Sequence, residues 1–216
     1  MGVRILGVLA GTDLSADEVV SLAARCEHVY AADSAADLCL AAGLKPVVVG
    51  DLDSIQSALE GLDVRHDPDQ NSTDADKMLA AIRADHPSHQ LLIAGLEGDR
   101  IDHVLSSLSS LIRHGEVIHL AFRQGWGLVV PAPAFFHDRE VELPDLAGAE
   151  ISVMPLGAAK VTLTGVEWPL DKAEMKLGGL VSISNRALTT VNMTLHSGSV
   201  LIRISGREWN WVRASS

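Results

Sequence analysis

Three short stretches carry residues whose types and spacing suit chemistry on phosphates. Gly50-Asp-Leu-Asp-Ser54 ends an apolar run with two carboxylates one residue apart. Groups that close repel unless a cation or a donor lies between them. Asp67-Pro-Asp-Gln-Asn-Ser-Thr-Asp74 runs into a helical pattern, with Lys77 one turn later. Gly95-Leu-Glu-Gly-Asp-Arg-Ile-Asp-His103 joins glycines, a guanidinium and further acids at another helix start. Asp51 and Asp53, two apart in an extended loop, can lie on one side as paired oxygen ligands, and Asp74 can supply a third. Magnesium favours a few carboxylates together with waters and substrate phosphates. The loop at 95–98 offers backbone N–H groups at a helix N-terminus, a ready anion site. Arg100 adds a planar, bidentate phosphate donor, and Lys77 a second cation.

Each feature also has a bland reading. Asp and Ser commonly occupy turns and cap helices. Asp74 and Asp76 can complement a helix dipole, Arg100 and Asp102 can form a local ion pair, and His103 can cap or pack. There is no Gly-x-x-x-x-Gly-Lys-Ser/Thr loop and no Gly-x-Gly-x-x-Gly after a strand. The pattern alone leaves a magnesium–phosphate site and these local roles both open.

The elements that must position these residues are legible in the periodicity. Up to about residue 121, short apolar runs alternate with helical patterns. Strands are expected at 3–9, 29–32, 47–50, near 64, at 91–94 and at 117–121. Ser15-Ala-Asp-Glu18 is a capping box for a helix through residue 25, and a small-residue helix stops at Gly43. Further helices are expected to begin near Ser54, Thr73 and Ile101. Such alternation predicts a Rossmann-like parallel sheet with helices on both faces. Ligands of open parallel sheets bind outside the carboxyl ends of the strands, where all three polar stretches fall.

Beyond Pro131 the texture changes. Prolines punctuate the chain, and Val161-Thr-Leu-Thr, Leu180-Val-Ser-Ile-Ser, Val191-Asn-Met-Thr-Leu and Ser199-Val-Leu-Ile-Arg-Ile read as half-buried antiparallel strands. Gly178-Gly179 and Ser197-Gly198 are turn signals between them. The expected organisation is an α/β domain over 1–128 and an all-β sandwich over 129–216.

Taken together and in order, these motifs resemble the thiamine pyrophosphokinase family. Its Gly-Asp-Phe-Asp-Ser motif is matched by Gly50-Asp-Leu-Asp-Ser54. Its Asp-Gln-x-x-Thr-Asp-x-x-Lys motif is matched by Asp69-Gln-Asn-Ser-Thr-Asp-Ala-Asp-Lys77. The family's Gly-Arg-x-Asp-His segment resembles Gly98-Asp-Arg-Ile-Asp-His103. Its Gly-Leu-x-(aromatic)-x-Leu and Ser-x-Ser-Asn segments resemble Gly165-Val-Glu-Trp-Pro-Leu170 and Ser182-Ile-Ser-Asn185. The resemblance implies transfer of a pyrophosphoryl group from ATP to the hydroxyl of thiamine, releasing AMP. It implies that Asp51, Asp53 and Asp74 hold Mg²⁺ and act with Arg100 in catalysis. Arg100, Lys77, Gly98, Asp102 and Asp33 would bind the nucleotide, and Gln70, Ser182, Ser184 and Asn185 the thiamine. It also implies a homodimer whose thiamine site is shared between subunits. Two departures stand out. The chain reads Ala32-Asp-Ser-Ala-Ala36 where the family usually reads Ala-Asp-Gly-Gly-Ala, and Asp99 replaces a common glycine beside Arg100.

Composition narrows the alternatives. A net charge of -11 over 216 residues argues against binding nucleic acid or an anionic membrane without a specific site. With 47% hydrophobic residues the chain can bury a substantial core. No uncharged apolar run approaches the ~18 residues needed to span a bilayer. The run at 5–10 is too short for a signal segment. Cys26 and Cys39 read as core thiols, and a cytoplasmic location is expected. A pyrophosphokinase for another alcohol such as a pterin remains an alternative, as does a thiamine- or nucleotide-binding sensor that has lost catalysis.

Overall fold

The computed structural model describes residues 2–11, 14–98, 100–132, 137–206 and 209–212. Its chain divides into two compact units. One comprises residues 1–114 with 120–123, the other 115–119 with 124–216.

The first unit alternates strands and helices. These are β1 (Val3–Val8), α1 (Ala16–Ala23), β2 (His28–Ala32), α2 (Ala35–Ala41), β3 (Val47–Gly50), β4 (Val64–His66), α3 (Asp74–Asp85), β5 (His89–Ala94), α4 (Ile101–His114) and β6 (Ile118–Phe122), whose residues from 120 on belong here. The strand order is β6-β5-β1-β2-β3-β4. The pairs β1–β2, β1–β5, β2–β3 and β3–β4 are all parallel. Consecutive residues of β5, Leu91 to Ala94, are all buried, which is why this strand reads as a continuous apolar run.

Local chemistry starts the helices where expected. Ser15 accepts from the Glu18 N–H at 3.3 Å, while the Glu18 carboxylate accepts from the Ser15 N–H at 2.8 Å. Thr73 and Asp76 close the equivalent box on α3. Near Ser54 the expectation fails, because no helix forms between β3 and β4. Asp37 of α2 instead accepts from the backbone N–H groups of Gln56 and Ser57, at 3.0 and 2.8 Å. A side chain thus takes donors at the very place where a helix would begin.

The second unit is antiparallel. It contains β7 (Gly125–Val130), β8 (Arg139–Leu143), β9 (Glu150–Pro155), β10 (Ala158–Val166), β11 (Leu170–Lys176), β12 (Ser182–Ser197) and β13 (Val200–Ser205). One group runs β7-β13-β9-β12, another β8-β12-β10-β11. The two strands expected at 180–184 and 191–195 are one 16-residue strand, β12, which belongs to both groups. It pairs with β9 through Arg186 and with β10 from Ala187 onward. No turn signal lies between the two halves of β12. Inward residues such as Val153, Val161, Leu163, Leu195, Ile202 and Ile204 fill the core of this unit.

Candidate active site

The acidic residues reach their places through unusual backbone at the ends of parallel strands. Asp33 follows β2 with φ of 46°, and its N–H donates to Val49 O at 2.8 Å. Gly50 closes β3 at φ 155°, where a Cβ would sit 3.1 Å from the Asp33 Cβ and 3.2 Å from Asp74 Oδ1. Glycine suits that conformation, and an added Cβ would press on both neighbours. Leu52 is also left-handed, at φ 66°. That turn breaks the extended geometry expected between Asp51 and Asp53, so the two side chains do not share a side by strand periodicity.

Carboxylate oxygens of Asp33, Asp51 and Asp74 all lie within 4.8 Å of one another. Asp53 stands beside this group and is exposed, its carboxylate accepting from Ser54 Oγ at 2.8 Å. Asp33 is 7% exposed, and its Oδ1 is buried with no hydrogen-bond partner among the described residues. Burial, with the charges of Asp74, Asp51 and Asp53, holds its carboxyl above the usual carboxylate range. Asp51 is pushed the other way, chiefly by the hydrogen bond from Gln70 Nε2 at 3.2 Å. Lys77 is 6% exposed and donates to Asp74 Oδ1 at 3.2 Å. Burial opposes its charge, but Asp74 and the neighbouring Asp51 outweigh that and raise its pKa.

Three carboxylates around one ammonium leave an excess of negative charge, and one buried oxygen lacks a donor among the described residues. The donor set therefore fits a hard divalent cation. The group opens on a cavity of about 390 Å³, lined also by Gln70, Thr73, Leu96 and His103. Arg100 is exposed and already paired with Asp102, at 3.2 Å from Nε and 2.6 Å from Nη2. Gly98 has φ of 80°, and Asp99 lies outside the described residues. Ser34 and Ala35, where the family usually has glycines, adopt ordinary geometry. Ser34 is at φ -59°, ψ -13° and Ala35 opens α2. The left-handed position falls on Asp33 instead.

The remaining expected residues lie in the second unit, on β12. The strand bulges between Ser182 and Asn185, with Ser184 at φ 54° and its N–H donating to Ser152 Oγ at 3.0 Å. Ser182 is buried and Ser184 exposed. Asn185 is 2% exposed and fully engaged within the chain. It accepts from the N–H groups of Trp168 and Arg186, at 3.1 and 2.8 Å, and donates to Trp168 O at 2.7 Å. Its visible work is therefore to pin the segment before β11 onto the bulge.

Sequence reasoning read Asp33 as a nucleotide contact and did not group it with the acids, because it is 18 residues from Asp51 and 41 from Asp74. Its signal was positional: an acid at the carboxyl end of a parallel strand.

These features define a protein with an acidic, cation-suited centre at the carboxyl ends of a parallel sheet, followed by a separate antiparallel β unit. Comparison with known proteins gives the particular family. The thiamin pyrophosphokinase catalytic domain matches residues 19–121, and the thiamin pyrophosphokinase vitamin B1 binding domain matches residues 139–202. Thiamine pyrophosphokinase 2 of Arabidopsis thaliana is 30% identical over 173 residues, 72% of this chain and 63% of that protein. Thiamine pyrophosphokinase 1 of Oryza sativa subsp. japonica is 28% identical over 155 residues, 64% of this chain and 58% of that one. The chain thus spans about three-fifths of the length of these curated relatives. The crystal structure of thiamine pyrophosphokinase from Bacillus subtilis is 25% identical, with a TM-score of 0.71, covering 93% of this chain and 98% of that one. The chain belongs to the thiamine pyrophosphokinase family.

Proposed function

We propose that this chain transfers the pyrophosphoryl group of ATP to the hydroxyl of thiamine, giving thiamine diphosphate and AMP. The observation that carries the reading is the buried Oδ1 of Asp33, without a donor among the described residues, beside Asp51 and Asp74. Asp33, Asp51 and Asp74 would hold Mg²⁺, whereas Asp53 lies outside that close group and would have to turn toward it to join. When bound, the ion neutralises charge on the ATP phosphates and so favours attack on phosphorus.

The chain's own residues do the rest. Gln70 and Lys77 orient Asp51 and Asp74. Arg100 exchanges Asp102 for a phosphate, an exchange with little cost because an exposed ion pair is weak in water. Lys77, Gly98, Asp102 and the Asp33 turn border the nucleotide. The thiamine oxygen forms a bond to the β-phosphorus, the bond from that phosphorus to the α,β-bridging oxygen breaks, and AMP leaves. A carboxylate of the acidic group takes the hydroxyl proton. Gln70, Ser182 and Ser184 form the thiamine site, with buried Asn185 serving it by holding the bulge that carries Ser184, and the site is shared between the subunits of a homodimer.

This reading takes the first unit as a Rossmann-like domain with helices on both faces and the second, from about residue 129, as a β-sandwich. Free Cys26 and Cys39 thiols accord with a reducing, cytoplasmic location. No helix among the described residues is long and apolar enough to cross a membrane. The deciding experiment incubates the full chain with ATP, Mg²⁺ and thiamine and follows AMP and thiamine diphosphate together. ATP consumption without thiamine diphosphate, or product from a pterin alcohol but not thiamine, would overturn the reading.

A further inference from the structure

One charged network near the acidic centre has no part in that reaction scheme. Asp76, at the third position of α3, accepts from Thr73 N at 3.1 Å and Thr73 Oγ1 at 2.8 Å. Arg113, in the last turn of α4, donates from Nη2 to both Asp76 oxygens, at 2.7 and 2.9 Å. Its Nη1 also donates to Ser109 Oγ at 2.8 Å. Buried Ser110 lies 3.1 Å from Arg113 Nη2 and 3.2 Å from Thr73 Oγ1. The end of α4 therefore grips the first turn of α3.

That turn carries Asp74 and, one turn on, Lys77. Asp74 and Asp76 are two residues apart, so they point to different sides of the helix. Asp74 meets Asp33 and Asp51, while Asp76 is held toward α4. A helix N-terminus tolerates both charges, but it does not decide which carboxylate faces the centre. Arg113 adds to the Thr73 box in holding Asp76 on the α4 side. We propose that Arg113, acting through Asp76, is a positioning residue for the cation site, setting where Asp74 and Lys77 stand. It touches no substrate. A displacement of about 1 Å in such a group can cost on the order of 10²-fold in rate.

The inference rests on the proposed reaction for its kinetic arm only, so a second arm uses binding alone. Mn²⁺, which takes the same hard oxygen ligands as Mg²⁺, is titrated into the full chain and followed by electron paramagnetic resonance. Arg113→Ala should weaken Mn²⁺ binding by about tenfold, the lower end of what losing a direct outer partner of a metal ligand costs, because Arg113 acts one step further out, through Asp76. It should lower kcat and raise the Mg²⁺ requirement while leaving the KM for thiamine unchanged, and Arg113→Lys should recover part of the loss. Asp76→Asn should reproduce the defect, and the double variant should be no worse than either single change. Unchanged Mn²⁺ affinity, losses that add in the double variant, or a thiamine KM that rises in step with the Mg²⁺ requirement would overturn it. Should Arg113→Ala not fold, Arg113→Lys and Asp76→Asn carry the same readouts. Should the wild type make no thiamine diphosphate, the proposed reaction fails while the Mn²⁺ arm still decides this inference.

Discussion

Asp33 Oδ1 is buried, has no donor among the described residues, and faces two further carboxylates. Such an arrangement is unfavourable in the empty protein and becomes favourable when a cation enters. Replacing one of these oxygens by an amide removes charge without removing volume. Asp33→Asn, Asp51→Asn and Asp74→Asn should therefore each lower turnover at least about 100-fold, since even outer partners of ligands cost 10–100-fold. Asp33→Asn should at the same time raise the melting temperature of the metal-free protein, because burial of its charge no longer opposes folding. Calorimetric melts with and without Mg²⁺ check this, and a lower metal-free melting temperature would count against the assignment. The motif made Asp51 and Asp74 legible in the sequence. The place of Asp33 beside them was not, because the ends of β2 and β3 and the start of α3 bring these acids together and no local spacing encodes it.

At the scale of elements, the β12 bulge joins two groups of strands, and Asn185 holds it with both ends of its amide. Removing a buried group that satisfies several partners leaves those partners without bonds. Asn185→Ala should cost about 2–4 kcal/mol, read from urea denaturation. Ser184→Gly should be neutral or stabilising there, because glycine adopts φ 54° without strain. Strand content was readable from alternation, yet the continuity of β12 was not, since alternation does not say whether two apolar stretches belong to one strand. The helix expected at Ser54 failed for a related reason, as Asp37 lies too far back in the sequence for a local signal.

A second element-scale device is the end of α4. Burial pushes the His114 imidazole down to about 4, with Arg83 and His89 adding to the effect. Its Nε2 lies 3.3 Å from that of His89, and Arg83 donates to its carbonyl. The unfolded chain takes up this proton near the ordinary value of 6.5, whereas the folded chain does so only near 4. Between those values the unfolded state binds more protons, so stability is full above about 6.5 and is lost as pH falls toward 4. His114→Gln should flatten the dependence of the urea midpoint on pH across that window. An unchanged slope would show that other groups carry it.

At the scale of the whole molecule, the second unit leaves Trp168, Leu177, Leu180, Ile183 and Leu188 at least 48% exposed. Exposed large apolar side chains, where they form one patch, commonly mark a surface that another chain covers. Ser184 sits between Ile183 and the Asn185 lock, so a ligand at Ser184 would lie beside that surface. The proposed homodimer gives these residues a partner, with each thiamine site taking its acids from one chain and its serines from the other. The division can be tested by complementation. Asp74→Asn chains and Ser184→Trp chains should each be inactive alone. Mixed, they should regain partial activity, because one site of each mixed dimer combines the intact acids of one chain with the intact Ser184 of the other. Light scattering should place the active wild type at twice the 22.9 kDa chain mass. A fully active monomer at assay concentration, or no recovery from subunits shown to have exchanged, would defeat the shared site.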